Sequence, residues 1–224
     1  MRRALRALAT VLIAAGVLLL ADGAATLLWE EPVSSLYARV QQDKLDDRLA
    51  RLERSGPTAV ERRVLARLPD RAWRLRFAAR AADRRARPSD PVGRLRADAI
   101  GLDTVVVQST EADALRRGPG HYPDSPLPGA RGTVAIAGHR TTYGAPFRRV
   151  DDLEPGDRIE LRMPYGRFGY RVERTRIVTP TAIWVTRRVA YDRLVLTACH
   201  PLYSAAERIV VFARLERSAP SFGS

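Results

Sequence analysis

From residue 91 onward the chain is cut into short runs that suit strands better than helices. The stretch RPSDP (residues 87–91) ends a glycine-poor region, and beyond it apolar, β-branched runs alternate with Gly/Pro/Asp turns. The runs at 104–108, 133–137, 158–162, 168–178, 193–198 and 208–215 read as strands. Between them lie the turn clusters RGPGHYPDSPLPGARG, LEPGD and MPYGR. Short strands at such spacing predict a β-sandwich or barrel. A segment of roughly 125 residues is large enough to build one hydrophobic core. No internal repeat is visible.

The region before it has another texture. Residues 33–87 are rich in Ala, Leu, Arg and acidic residues, which favours helix. Val60, Val64 and Leu68 recur at helical spacing until Pro69 interrupts; Asp70 is placed to cap a following helix with Trp73 and Phe77 on one face. Residues 62–87 hold ten arginines and two aspartates. Two readings stand: a basic spacer lying on anionic lipid or wall polymer, or a solvated helical stalk.

The N-terminus reads MRRALRALATVLIAAGVLLLADGAATLLWEEP. Between Ala7 and Trp29 the one strongly polar residue is Asp22, so a helix here is expected to cross about 30 Å of hydrocarbon. Arg2, Arg3 and Arg6 precede the run. Residues 30–50 carry three basic residues (Arg39, Lys44, Arg48) against five acidic ones (Glu30, Glu31, Asp43, Asp46, Asp47). That asymmetry predicts a single-pass plasma-membrane protein with a cytoplasmic N-terminus and everything after Pro32 extracytoplasmic. Trp29 falls where an interfacial aromatic belongs. Cleavage near Ala21-Asp22-Gly23 or Asp22-Gly23-Ala24 is the competing reading. The formal charge of +13 is almost all arginine, Lys44 being the single lysine. It invites a nucleic-acid partner, which an extracytoplasmic location excludes.

In an oxidising compartment a lone cysteine is unusual. Cys199 is that cysteine, in LVLTACHPLYSAAERIVVFARL. A free thiol has a pKa of about 8.5 and needs a cationic neighbour to act as a nucleophile at neutral pH. His200 is adjacent, but neighbours on a strand face opposite ways. His139, leaving the run GTVAIAGHRTTYG after Gly138, is the better base. His121 lies in the Gly/Pro-rich loop, where a surface role is the default. Arg208 opens the next strand; if it pairs antiparallel with the strand ending at Cys199, guanidinium and thiol meet at one rim, and a guanidinium is a strong oxyanion donor. Spacing alone leaves a catalytic trio and a buried, inert cysteine both open.

The segments GTVAIAGHRTTYGAPFRRVDDLEPGD and LTACHPLYSAAERIVVFARL, with the GPGHYPDSPLPG loop, resemble the sortases, most closely class E sortases of actinobacteria, over roughly residues 91–217. The resemblance implies a mainly β fold: a closed β-barrel of about eight strands with short helices. It implies a membrane-anchored cysteine transpeptidase with catalytic His139, Cys199 and Arg208. Such an enzyme cleaves a C-terminal Leu-Ala-x-Thr-Gly or Leu-Pro-x-Thr-Gly sorting signal between Thr and Gly through a thioester. Residues 179–192 would form a mobile loop over the signal, with Ile183, Trp184, Ala198 and Tyr203 as substrate contacts; Trp184 equally suits a core role. The family signature Thr-Leu-x-Thr-Cys reads Val195-Leu196-Thr197-Ala198-Cys199 here, so two hydroxyls near the nucleophile are absent.

The expected organisation is a cytoplasmic tip and membrane anchor (1–29), a basic helical stalk or linker (30–90), the catalytic domain (91–217) and a tail (218–224). The expected partners are secreted proteins bearing a sorting signal and the amine of a lipid-linked peptidoglycan precursor. The chain is expected to act as a monomer with no cofactor, metal or nucleic acid. Competing readings are a pilin-polymerising sortase with a lysine acceptor, a hydrolytic cell-wall cysteine peptidase, and a sortase-like binding module without activity.

Overall fold

Period-two burial closes the strands into a barrel. The structure, a computed structural model, describes residues 2–28 and 32–221. Its strands are β1 (Pro91–Ala97), β2 (Leu102–Gln108), β3 (Gly120–His121), β4 (Thr133–Ala137), β5 (Arg158–Met163), β6 (Gly166–Val178), β7 (Arg193–His200) and β8 (Glu207–Pro220). Around the barrel they run β1-β2-β3-β4-β7-β8-β6-β5, and β5 pairs with β1 to close it. In β5, Ile159, Leu161 and Met163 are buried while Arg158, Glu160 and Arg162 alternate with them toward solvent. Leu95, Ile136, Phe168, Tyr170, Leu196 and Val211 fill the interior with them.

Strands β1 and β3 were not legible. β1 reads PVGRLRA, half polar and interrupted by Gly93. That glycine is required because β5 crosses closely: a Cβ there would stand 2.6 Å from the Met163 sulfur and 2.7 Å from the Arg162 carbonyl oxygen. β3 has two residues and exists through its neighbours on β2 and β4.

Helices α1 (Arg2–Leu28), α2 (Pro32–Ser55), α3 (Ala59–Arg67) and α4 (Arg71–Arg85) precede the barrel, and the short α5 (Ala112–Leu115) follows β2. α3 starts with a Thr58–Glu61 capping box, and Asp70 caps α4 by accepting from the Trp73 N–H. The buried face of α4 is Leu75, Ala78 and Ala79, with Ala82 half-buried, and it packs on the barrel core. Trp73 stays half exposed, with the Arg76 guanidinium over its ring.

The segment expected to be a stalk is instead a layer on the barrel. Leu45 and Leu49 of α2 are buried against Val105, Val107 and Ala114, worth about 2 kcal/mol each. The Gln42 amide bonds β2 and the loop before β3: its nitrogen donates to the carbonyls of Val105 and Arg117, and its oxygen accepts from Val105 N–H and Thr104 Oγ1. These bonds satisfy an edge of β2 that the short β3 does not reach. Arg48–Asp90, Arg94–Asp46 and Arg162–Glu53 ion pairs tie the same helix down.

The membrane expectation fails. Among the described residues no helix is long and apolar enough to cross a membrane. The single-pass anchor, the cytoplasmic N-terminus and the extracytoplasmic placement drawn from them are therefore corrected, and the location-based argument against nucleic acid goes with them. Trp29 lies outside the described residues.

Candidate active site

β4 runs parallel to β7, so both strands end at the same rim. Their register closes with Ala137 beside Thr197, and the Gly138 N–H then donates to the Thr197 carbonyl at 3.0 Å. The chain leaving β4 therefore carries His139 past the end of β7, where Cys199 sits. β8 is antiparallel to β7 and places Arg208 directly opposite Cys199. Directly paired residues share a sheet face. Thiol, imidazole and guanidinium thus belong to one rim, although 60 and 9 residues separate His139 and Arg208 from Cys199 in sequence. Cys199 and Arg208 are both partly exposed, and the Arg208 guanidinium donates to the carbonyls of Ala205 and Glu207 at 3.1 and 2.9 Å.

Gly138 is fixed by close packing: a Cβ there would lie 2.6 Å from the Phe147 ring. The Phe147 N–H closes the following loop on the His139 carbonyl at 2.9 Å. Within that loop Tyr143, Gly144 and Ala145 all have positive φ (52°, 70° and 40°), strained for the two that are not glycine. α2 holds the turn: Ser34 Oγ accepts from the Tyr143 N–H at 3.2 Å, and Tyr37 meets the Tyr143 ring edge-on. The Tyr143 ring in turn lies 5.4 Å from the His139 ring, centroid to centroid. Burial holds the His139 pKa below the usual imidazole value. Among the described residues neither ring nitrogen of His139 makes a hydrogen bond, which leaves both free for proton transfer.

Below Cys199 on the same face of β7 lie Thr197 and Val195, opposite Val210 and Phe212 of β8. Val195, Val210, Phe212, Ala135 and Val185 form an apolar floor. Trp184 stacks on Phe212 at 6.1 Å between centroids, whereas Ile183, beside it in a 3-10 turn, is 74% exposed. Tyr203 is half exposed on the loop between β7 and β8, within 3.4 Å of an Arg148 guanidinium nitrogen. Ala198 is not on this face at all; it lies in the barrel core. These placements set both positions of the missing threonines away from the thiol. Ala198 points away from the thiol, and Val195 is about 13 Å along the strand from it. Sequence reasoning missed Tyr122, whose hydroxyl bonds Thr197 Oγ1 at 3.0 Å. Alternation along β7 places Thr197 on the nucleophile's face, but nothing local pairs it with a residue 75 positions away.

His200 faces the other way, as alternation requires, and its Nδ1 lies 3.3 Å from an Arg140 guanidinium nitrogen. His121, expected at the surface, is 1% exposed. Its Nδ1 bonds Gln108 Oε1 at 2.9 Å and its Nε2 bonds Ser125 Oγ at 3.0 Å. The Gly/Pro loop folds inward because β3 lies inside it and pairs on both sides. Burial lowers the His121 pKa to about 4. Among the described residues no group of three or more His, Cys, Asp or Glu is placed to hold a metal ion.

Known proteins share this fold. Residues 95–216 match the sortase domain family. Sortase D of Bacillus subtilis (strain 168) is 36% identical over 120 residues, 51% of this chain and 59% of that protein. Sortase SrtE1 of Streptomyces coelicolor is 31% identical over 115 residues, 45% of this chain and 33% of that protein. The chain thus spans less than two thirds of the length of either relative. The solved sortase E of Streptomyces avermitilis superposes with a TM-score of 0.54 at 28% identity, over 60% of this chain and 93% of that one. Relatives from both the D and E groups match, so the class E resemblance broadens to the family. With an eight-stranded closed barrel and a match over more than half its length, the chain belongs to the sortase domain family, whose members are cysteine transpeptidases.

Proposed function

We propose that this chain is a transpeptidase acting through Cys199, His139 and Arg208 on a C-terminal sorting signal of the Leu-Ala-x-Thr-Gly or Leu-Pro-x-Thr-Gly kind. The observation that carries the reading is the single rim shared by the ends of β4 and β7 and the start of β8. The Cys199 thiolate attacks the Thr carbonyl carbon, a C–S bond forms, and the carbonyl electrons move onto oxygen. A guanidinium opposite Cys199 is suited to hold that oxyanion, once it exchanges loop carbonyls for substrate. His139, as imidazolium, gives its proton to the glycine nitrogen as the C–N bond breaks, leaving a thioester. An incoming amine then attacks the thioester, His139 takes its proton, and Cys199 leaves as thiolate. A peptidoglycan-precursor amine as acceptor, secreted signal-bearing proteins as donors and class E membership complete the proposal. Trp184 and Ile183, above the apolar floor, supply contacts for the apolar residues of the signal.

The test uses the full chain, because α2 packs on the barrel beside the His139 loop. It is incubated with each signal peptide, with and without an added amine. A mass adduct on Cys199, absent in Cys199→Ala, and amine-dependent product are expected. No adduct and no product between about pH 6 and 9 would favour a binding module. Cleavage that added amine neither speeds nor diverts would favour a peptidase.

A further inference from the structure

Two of the proposed catalytic residues, His139 and Cys199, are each followed by a neighbour that points the other way, and those two neighbours are bonded to each other. His139 is followed by Arg140, and Cys199 is followed by His200. Behind the rim an Arg140 guanidinium nitrogen lies 3.3 Å from His200 Nδ1. The same guanidinium pairs with the Asp151 carboxylate at 2.5 Å and donates to the Arg148 carbonyl at 3.1 Å. It therefore joins three segments: the exit of β4, the end of β7 and the turn at 148–152.

Two features set this cluster apart from ordinary packing. The Arg140 side chain is 2% exposed, and its Nε is buried without a hydrogen-bond partner. Burying a charge so is a poor way to gain stability, and an apolar residue would fill the space more cheaply. The backbone ladder between β4 and β7 also stops at the Gly138–Thr197 bond. Beyond it, the Arg140–His200 contact is the next hydrogen bond joining the His139 segment to the Cys199 segment among the described residues. A guanidinium has donors and no acceptor, so in this contact His200 Nδ1 serves as the acceptor.

We propose that Arg140 is a positioning residue, which sets the spacing of His139 and Cys199 by clamping His200 and the 148–152 turn behind the rim. The inference rests on the transpeptidase reading above. Because proton transfer and attack tolerate little misplacement, loosening the clamp lowers the rate of the acylation step and leaves substrate binding nearly as it was.

His200 carries the test, since removing Arg140 itself leaves a void where its 2% exposed side chain was and risks the fold. The full chain is compared with His200→Ala and His200→Asn, whose Oδ1 can take the place of Nδ1 as acceptor. Cleavage of the signal peptide is followed for kcat and KM, and each variant's melting temperature is recorded. His200→Ala is expected to lose about tenfold to a hundredfold in kcat with KM within about twofold. His200→Asn should recover most of that loss. A His200→Ala kcat equal to wild type, a loss carried by KM alone, or an Asn variant no better than Ala would overturn the clamp. A wild-type chain that never acylates Cys199 overturns the transpeptidase reading, and the clamp with it.

Discussion

His121 and His139 lie on opposite sides of β4 in sequence, and the fold treats them in opposite ways. His121 is sealed, with Nδ1 on Gln108 and Nε2 on Ser125, and burial drives its pKa down to about 4. His139 is half-buried against Tyr143, its pKa is lowered by burial, and among the described residues its ring nitrogens make no hydrogen bond. A histidine whose bonds are complete serves the core. One held in place by ring packing, at a rim shared with a thiol, suits the proton-transfer role proposed for it.

The sharpest way to break the comparison is His139→Ala. Transpeptidation should fall about a thousandfold with no change in melting temperature; a large loss of stability instead would make His139 a second structural histidine. Next in size is the acid limb of stability. Folded His121 stays neutral down to about pH 4, whereas the unfolded chain takes up that proton near 6.5. Between those values the unfolded state binds more protons, so stability is fully present above about pH 6.5 and falls as pH falls. The total loss assigned to this group is about 3 kcal/mol. Urea unfolding across that range should show a shallower acid limb in His121→Gln, while the activity of the folded variant changes little. Equal limbs would remove the contrast. The smallest effect is expected from Tyr143→Ala, which lets water reach His139. Its pKa should rise toward the ordinary value, moving the corresponding limb of the pH–rate profile to higher pH with a severalfold change in kcat at most.

Much of the barrel was legible because period-two burial and Gly/Pro/Asp turns are local signals: β4 starts and ends where the apolar run does, and β5 through β8 follow the same logic. β1 and β3 were illegible because one is half polar around Gly93 and the other owes its existence to its partners. The N-terminal region misled twice. Helix was expected there and found, but packing against β2 through Gln42, Leu45 and Leu49 depends on an edge that no local pattern announces. The membrane span expected there is not found: among the described residues no helix is long and apolar enough to cross a membrane.

Sequence alone singled out the residues proposed to carry chemistry: one cysteine, a histidine leaving an apolar run, an arginine opening another, and an alternation that turned His200 away from the Cys199 face. The closed sheet decided the rest. It put Ala198 in the core, buried His121, set Tyr122 against Thr197 and brought Arg140 behind the rim. Facing along one strand follows from backbone geometry that every residue obeys. Which strands become neighbours is settled by long-range pairing and shared burial, and those are properties of the whole fold.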